Sequence, residues 1–129
     1  MKSTYSPLVN NTEKKAASKN GTSDFLMQRL TALALIPLTI WFCFSITFLP
    51  QVTHEVLLNW LKSPLNAIMM LLIIVISFKH AHMGMQVIFE DYIADLKRRN
   101  MAILAVKLLS YLSMAIGVLS LLKIVVGGQ

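Results

Sequence analysis

Cysteine and charge are both scarce in this 129-residue chain, and each scarcity excludes a class of protein. The single cysteine, Cys43, allows neither a disulfide within the chain nor a zinc site built from cysteine pairs. Charged residues make up 14% of the sequence and hydrophobic residues 56%, whereas soluble domains are about a quarter charged. A small chain does not bury that much apolar surface in its own core. Lipid, or partner helices within lipid, must cover it.

Motifs for nucleotide and nucleic-acid binding are also missing. The chain has no G-x-G-x-x-G segment, which is the dinucleotide-binding pattern. Its net charge of +6 does not come from a basic patch interleaved with aromatic residues, so a nucleic-acid partner is not expected. The basic residues instead cluster near the ends of hydrophobic runs, which is typical of a membrane protein.

Three long apolar runs are what the sequence does contain. They cover residues 25–49, 64–89 and 101–126, and each reaches the roughly 20 residues that a membrane-spanning helix needs. They predict an all-α membrane protein with three transmembrane helices in up-down-up order. A polar N-terminal tail at 1–22 is then followed by a three-helix anchor at 23–129.

The basic residues in the tail, in the connections and near the ends of the apolar runs predict the orientation. Eight lie on the side shared by the tail and the second connection, and two lie opposite: Lys2, Lys14, Lys15, Lys19, Arg29, Lys97, Arg98 and Arg99, against Lys62 and Lys123. The positive-inside rule therefore predicts a cytoplasmic N-terminus. The tail lacks the arginine-rich character of a transit peptide and precedes no small-residue cleavage site. A bacterial inner membrane is favoured over a mitochondrial one.

Ionisable side chains on the second apolar run are the candidate functional residues. His80 and Asp91 are eleven residues apart, so they lie within about 20° of one helix face. Gly84 lies one turn from His80, whereas His82 points about 200° away. Tyr92 lies about 18 Å beyond His80 along the helix axis, at the membrane interface. Ionisable groups at membrane depth are costly to keep, which makes them candidates for a functional site.

Each of these groups has a functional and a structural interpretation. An imidazole deep in the membrane suits an iron ligand, but buried histidines also form hydrogen bonds between membrane helices. A carboxylate and a phenol at the interface suit the polar head group of a ligand with an apolar tail. An interfacial tyrosine is, however, ordinarily an anchor. The eight methionines are interpreted as flexible packing rather than as metal ligands.

Two motifs carry a resemblance to a known family. The second run holds H-A-x-x-G-M followed by D-Y, from His80 to Tyr92. The first run begins with D-F-x-x-x-R-x-T-A, from Asp24 to Ala32. These strings resemble the hydrophobic membrane-anchor subunit of succinate dehydrogenase (respiratory complex II), and in particular its smaller, D-type anchor.

The resemblance implies roles for four residues within a larger assembly. His80 would be an axial ligand of a haem b shared with a sister cytochrome b-type anchor subunit, and Arg29 would face a haem propionate. Tyr92 would hydrogen-bond ubiquinone, the substrate, and Asp91 would support that site. The chain would not be catalytic alone. In a hetero-oligomeric helix bundle with flavoprotein and iron–sulfur subunits, it would help pass electrons from succinate to quinone.

Three residues depart from the pattern of the family. Lys79 and His82 stand where apolar or aromatic residues are usual, and Gln86 replaces a tryptophan of some members. A lysine at the centre of a span costs about 2.5–3.5 kcal/mol to insert, and His82 is a second candidate ligand for the iron. Two other functions stay open: the anchor of a quinol:fumarate reductase, and a non-redox structural or transport-associated subunit.

Overall fold

Four helices make up the described part of the chain. The computed structural model describes the backbone of residues 7–127 and the side chains of residues 22–127. The helices are α1 (Pro7–Thr47), α2 (His54–Lys62), α3 (Pro64–Tyr92) and α4 (Leu96–Val126). Three segments are long and apolar enough to cross a membrane: Thr22–Thr47, Pro64–Tyr92 and Leu96–Val126. The predicted all-α architecture with three spans is confirmed.

The helices are longer than the apolar runs from which they were predicted. The backbone of α1 is helical from Pro7 rather than from about residue 25, although its apolar span begins only at Thr22. α4 begins at Leu96, where the side chain of Asp95 caps its first turn. Hydropathy marks where a helix meets lipid, whereas helical hydrogen bonds continue into polar flanks until a cap or a break ends them.

A short helix in the first connection, α2, is not predicted by hydropathy. It is capped by Thr53, whose Oγ1 accepts a hydrogen bond of 3.4 Å from the Val56 amide. The Trp60 ring stacks on Trp41 of α1 with centroids 5.6 Å apart, and the Trp60 carbonyl accepts a 2.9 Å hydrogen bond from Nδ2 of Asn66. Tryptophan favours the membrane interface. α2 therefore ties α1 to α3 at that depth.

α3 lies between the other two long helices and runs antiparallel to both. Four pairs of neighbours show this: His80 with Thr31, Gly84 with Gln28, His82 with Tyr111, and Ile74 with Gly117. As the residue number rises along α3, the numbers of its neighbours fall in α1 and in α4. The up-down-up order is therefore confirmed. Within the described residues, α1 and α4 do not pack against each other.

Very little of the described chain is buried against itself. Only Leu121, Leu38 and Thr31 of these residues are classed as buried, at 6%, 7% and 8% exposure. Large apolar side chains are exposed along all three spans, which a soluble protein would not tolerate over so large an area. This surface is suited to lipid tails and to the helices of other subunits.

We expect Gly117→Val to destabilise the contact between α3 and α4. A Cβ atom at Gly117 would lie 3.3 Å from Cγ2 of Ile74, so the added methyl groups have no room. Overpacking costs about 1–3 kcal/mol, and the free energy of unfolding in micelles, followed by tryptophan fluorescence, should fall by that amount. Ala115→Val, on the exposed side of the same helix, should change it by less than about 0.5 kcal/mol. Equal losses in both variants would contradict the packing described.

Candidate functional site

Thr31 and His80 are joined by a hydrogen bond in the middle of the bundle. Oγ1 of Thr31 lies 3.0 Å from Nδ1 of His80 and 2.9 Å from the carbonyl oxygen of Gln28. A hydroxyl group has one proton to donate. With that proton directed at the Gln28 carbonyl, Oγ1 is free to accept a second hydrogen bond from Nδ1–H of His80. This arrangement predicts the tautomer that has its proton on Nδ1 and a lone pair on Nε2.

The local sequence explains why the two helices meet here. Thr31 bonds back to a carbonyl three residues earlier, a usual way for threonine to satisfy its hydroxyl inside a helix. On α3, Gly84 has no side chain, and an added Cβ would have Nε2 of Gln28 as its nearest neighbour, at 4.0 Å. A Cβ at that distance would be in ordinary van der Waals contact, so the approach of the helices here does not depend on glycine. The imidazole of His80 is held against α1 by its contact with Thr31.

His80 fits a metal group that takes a single ligand from this chain. Within residues 22–127, no three His, Cys, Asp or Glu side chains come together as a metal site. A ligating histidine almost always hydrogen-bonds through its other ring nitrogen, and Nδ1 of His80 has Thr31 as such a partner. A single imidazole is a donor that a haem iron accepts, so His80 fits the predicted role, which stays a prediction.

Asp91 and Tyr92 end α3, at some distance from His80. Both side chains are exposed, Tyr92 at 84%. Twelve residues of continuous helix, about 18 Å, separate Tyr92 from His80. The chain therefore does not gather the predicted residues into one pocket. It presents an imidazole at depth and a phenol–carboxylate pair at a helix end.

Arg29 lies on a different side of α1 from Thr31. The two residues are two positions apart, which is about 200° around the helix. The guanidinium carbon of Arg29 sits 4.9 Å from the centroid of the Phe25 ring, a cation–π arrangement. The described contacts do not bring Arg29 to His80, so its place beside a propionate stays a prediction.

A polar cleft that was not predicted from the sequence lies on another face of α3. It opens between α1, α3 and α4 with a volume of about 730 Å³. Its polar lining consists of Asp24, Gln28, Lys79, His82, Gln86, Glu90, Lys107 and Tyr111. On α3, Lys79, Gln86 and Glu90 recur at intervals of seven and four residues, which places them on one helix face. That spacing predicts a polar face on α3, although not the gap between α1 and α4 that opens it.

His82 belongs to this cleft and not to the surroundings of His80. Its ring contacts Tyr111 of α4, with centroids 5.9 Å apart, whereas His80 is bonded to Thr31 of α1. The prediction that the two histidines point to different sides of α3 is confirmed. Among the described histidines, only His80 has a ring nitrogen held by a side-chain hydrogen bond.

The fold and the exposed polar groups indicate the class of this protein, and its similarity to known proteins shows the family. Three apolar spans, little internal burial and exposed polar groups are those of a multi-pass membrane protein that takes partners. The family model of the succinate dehydrogenase/fumarate reductase transmembrane subunit matches residues 4–117. The chain belongs to this family.

Three relatives from Rickettsia support the same assignment. The chain is 37% identical over 97 residues to a protein of Rickettsia bellii. The matched segment covers 75% of this chain and 78% of the relative. Identity is 35% over 97 residues for Rickettsia conorii (74% and 77% covered) and 31% over 99 residues for Rickettsia felis (77% and 82% covered). Each relative is named succinate dehydrogenase hydrophobic membrane anchor subunit. The predicted resemblance to this anchor subunit is confirmed.

We expect Thr31→Val to change the tautomer of His80. Valine keeps the shape of threonine without its hydroxyl, so Nδ1–H loses its acceptor. A net hydrogen bond is worth about 0.5–1.5 kcal/mol, which corresponds to a roughly two- to tenfold change in the tautomer ratio. NMR of the haem-free chain in micelles, with isotope-labelled histidine, should show a protonated Nδ1 in the wild type and a mixture in the variant.

Two further variants make this measurement specific. Thr31→Ser keeps the hydroxyl and should keep the wild-type tautomer. Thr39→Val removes a hydroxyl from an exposed position on the same helix and should leave the His80 signals unchanged. A wild-type ratio in Thr31→Val would show that Oγ1 does not set the tautomer.

Proposed function

We propose that this chain anchors a succinate dehydrogenase in a bacterial inner membrane, supplies one axial ligand to a haem b, and forms part of the site where ubiquinone is reduced. Electrons from succinate reach the quinone through the flavoprotein and iron–sulfur subunits. The chain itself binds and positions, and it has no part in the chemistry on succinate. Its family also includes fumarate reductase subunits, but its relatives carry the succinate dehydrogenase name, which favours succinate oxidation.

The hydrogen bond between Thr31 and His80 carries the haem part of the proposal. It joins the two motifs of the family resemblance, since Thr31 lies in D-F-x-x-x-R-x-T-A and His80 begins H-A-x-x-G-M. An oxygen that accepts from Nδ1–H fixes the orientation of the ring and leaves its other nitrogen free for a ligand. His80 is thereby prepared to bind iron through Nε2. Gly84 leaves the neighbouring turn of α3 without a side chain.

A haem bound at His80 would supply one-electron transfer near the quinone. This chain's part is to hold the ligand ring, to keep its Nδ1 proton on Thr31, and to cover one side of the group with apolar residues. The guanidinium of Arg29 is exposed and has the geometry to pair with a carboxylate such as a propionate. The other ligand of such a haem would come from the sister anchor subunit.

Tyr92 and Asp91 are assigned to the quinone. The Tyr92 hydroxyl donates a hydrogen bond to a carbonyl oxygen of the quinone, and the Asp91 carboxylate pairs with an arginine of the sister subunit. Both side chains are exposed in this chain, as residues of a site shared between subunits are before assembly. At the end of α3, the head group lies near water, from which quinone reduction takes its protons. The apolar tail stays in lipid.

The orientation supports this arrangement. The basic residues of the α3–α4 connection, Lys97, Arg98 and Arg99, follow the Tyr92 end of α3 and favour the cytoplasmic side under the positive-inside rule. The quinone site would then face the same compartment as the flavoprotein and iron–sulfur subunits. Electrons would need no path across the whole membrane.

We expect the b-type haem to depend on His80 and not on His82. Membranes containing the whole complex are compared by low-temperature difference spectra. His80→Leu should abolish the haem signal, because leucine offers no ligand. His82→Leu, the matched control two residues away in the cleft, should keep it. A full signal in His80→Leu would remove the ligand assignment.

We expect Tyr92→Phe to slow quinone reduction without affecting succinate oxidation. The phenylalanine lacks the donor hydroxyl, and a lost hydrogen bond of about 0.5–1.5 kcal/mol corresponds to a roughly two- to tenfold lower turnover. Electron transfer from succinate to a soluble dye should stay at the wild-type rate. Thr39→Val, which removes a hydroxyl from an exposed position of α1 outside the cleft, should affect neither rate. Normal quinone turnover in Tyr92→Phe would rule out the assignment.

A further inference from the structure

Lys79 has no anionic partner at a depth where a partner is needed. It stands 15 residues after Pro64 and 13 before Tyr92 in α3, so about 20 Å or more of helix separates it from either end. A lysine stem is far shorter than that, so its ammonium group does not reach either end of α3 by snorkelling. Among residues 22–127, the one ion pair joins Arg98 to Asp95, near the start of α4.

The carboxylates of the same cleft lie too far away to neutralise Lys79. Glu90 is eleven residues further along α3, or about 16 Å, and its Oε1 accepts a 2.9 Å hydrogen bond from Nε2 of Gln86. Asp24 lies in the first turn of the span that begins at Thr22. Both carboxylates therefore belong to the mouth of the cleft, whereas Lys79 lies at its deep end.

The deep part of the cleft thus has a surplus of positive charge. An unpaired lysine at the centre of a span costs about 2.5–3.5 kcal/mol to insert, and Lys107 adds a second cation to the same cleft. Lys107 also forms no ion pair with a residue that the structure describes. Ionisable groups at this depth almost always face the interior of a bundle or a water-filled cavity, where they pair with one another or with backbone carbonyls. Charge complementarity therefore calls for an anionic group opposite Lys79.

We propose that the cleft receives a transmembrane helix of another subunit of the complex, and that a carboxylate on this helix pairs with Lys79. α1 and α4 flank the cleft without packing against each other within the described residues, which leaves α3 open between them. A helix satisfies its own backbone hydrogen bonds, as any peptide occupant at this depth must. A phospholipid phosphate is excluded by depth, because the apolar core extends about 15 Å on each side of the bilayer centre.

This inference rests on membership of a multisubunit succinate dehydrogenase, and it is independent of the haem and quinone proposals. The face that carries Lys79 is turned about 100° from His80 around α3. Loss of haem in a variant therefore has no bearing on whether Lys79 pairs with a carboxylate, and the two ideas fail separately.

The first test measures assembly of the whole complex, coexpressed with its other subunits. Lys79→Leu removes the charge but inserts into lipid more readily than lysine, so the amount of this chain in the membrane should not fall. Intact complex on native gels should fall at least about fivefold, which corresponds to a loss of about 1 kcal/mol. Lys79→Arg keeps the charge and should assemble. Lys123→Leu is the control. Lys123 lies in the last turn of α4, and this variant should assemble as the wild type does.

The second test identifies the occupant with a hydrophobic carbodiimide, which condenses a carboxyl group with an amine in contact to form an amide. In the wild-type complex, mass spectrometry should find Lys79 linked to an aspartate or glutamate of a partner subunit. Lys79→Arg should lose this link while the complex remains intact, because a guanidinium group does not couple. Normal assembly of Lys79→Leu without any link in the wild type would overturn the proposal. A link between Lys79 and a haem propionate would also overturn the proposal. So would a Lys79→Leu complex that loses a bound anionic phospholipid but keeps all its subunits.

Discussion

The hydrogen bond between His80 and Thr31 fixes how α1 and α3 lie against each other. Apolar contacts alone give membrane helices little preference for one register, because lipid tails are as apolar as the side chains they replace. A slide of one helical turn would leave the Nδ1–H of His80 without its acceptor in apolar surroundings, at a cost of a few kcal/mol. The same 3.0 Å contact thus links the register of the two helices to the orientation of the imidazole.

α3 has two polar faces. One of them is open because α1 and α4 do not pack against each other within the described residues. One face holds His80 against α1, and the other lies open between α1 and α4 and holds Lys79. The two residues are adjacent in the chain, but one step of the helix turns them about 100° apart. The ammonium group therefore lines the cleft while the imidazole bonds to Thr31. A cofactor ligand and a group for assembly can then occupy the same depth of one helix.

The sequence predicts what lipid and helix geometry impose, and little else. Run length gives the three spans, and the angle per residue gives the divergence of His80 and His82. Neither predicts α2, whose nine residues are too few to span a membrane. The contact of Thr31 with His80 is not predicted either. The two residues lie 49 positions apart, and packing decides which residue of α1 meets His80. The cleft depends in turn on the gap between α1 and α4, which no local pattern encodes.

Two polar groups within the spans lack partners that the described residues could supply: a ring nitrogen of His80 and the ammonium group of Lys79. Each is stable in water but costly when lipid covers it. The isolated chain therefore holds these groups at a free-energy cost that the missing partners would remove. If iron and a carboxylate are those partners, assembly and function are coupled. The contacts that complete the sites are then also the contacts that make the bound state of the anchor more stable than the free one.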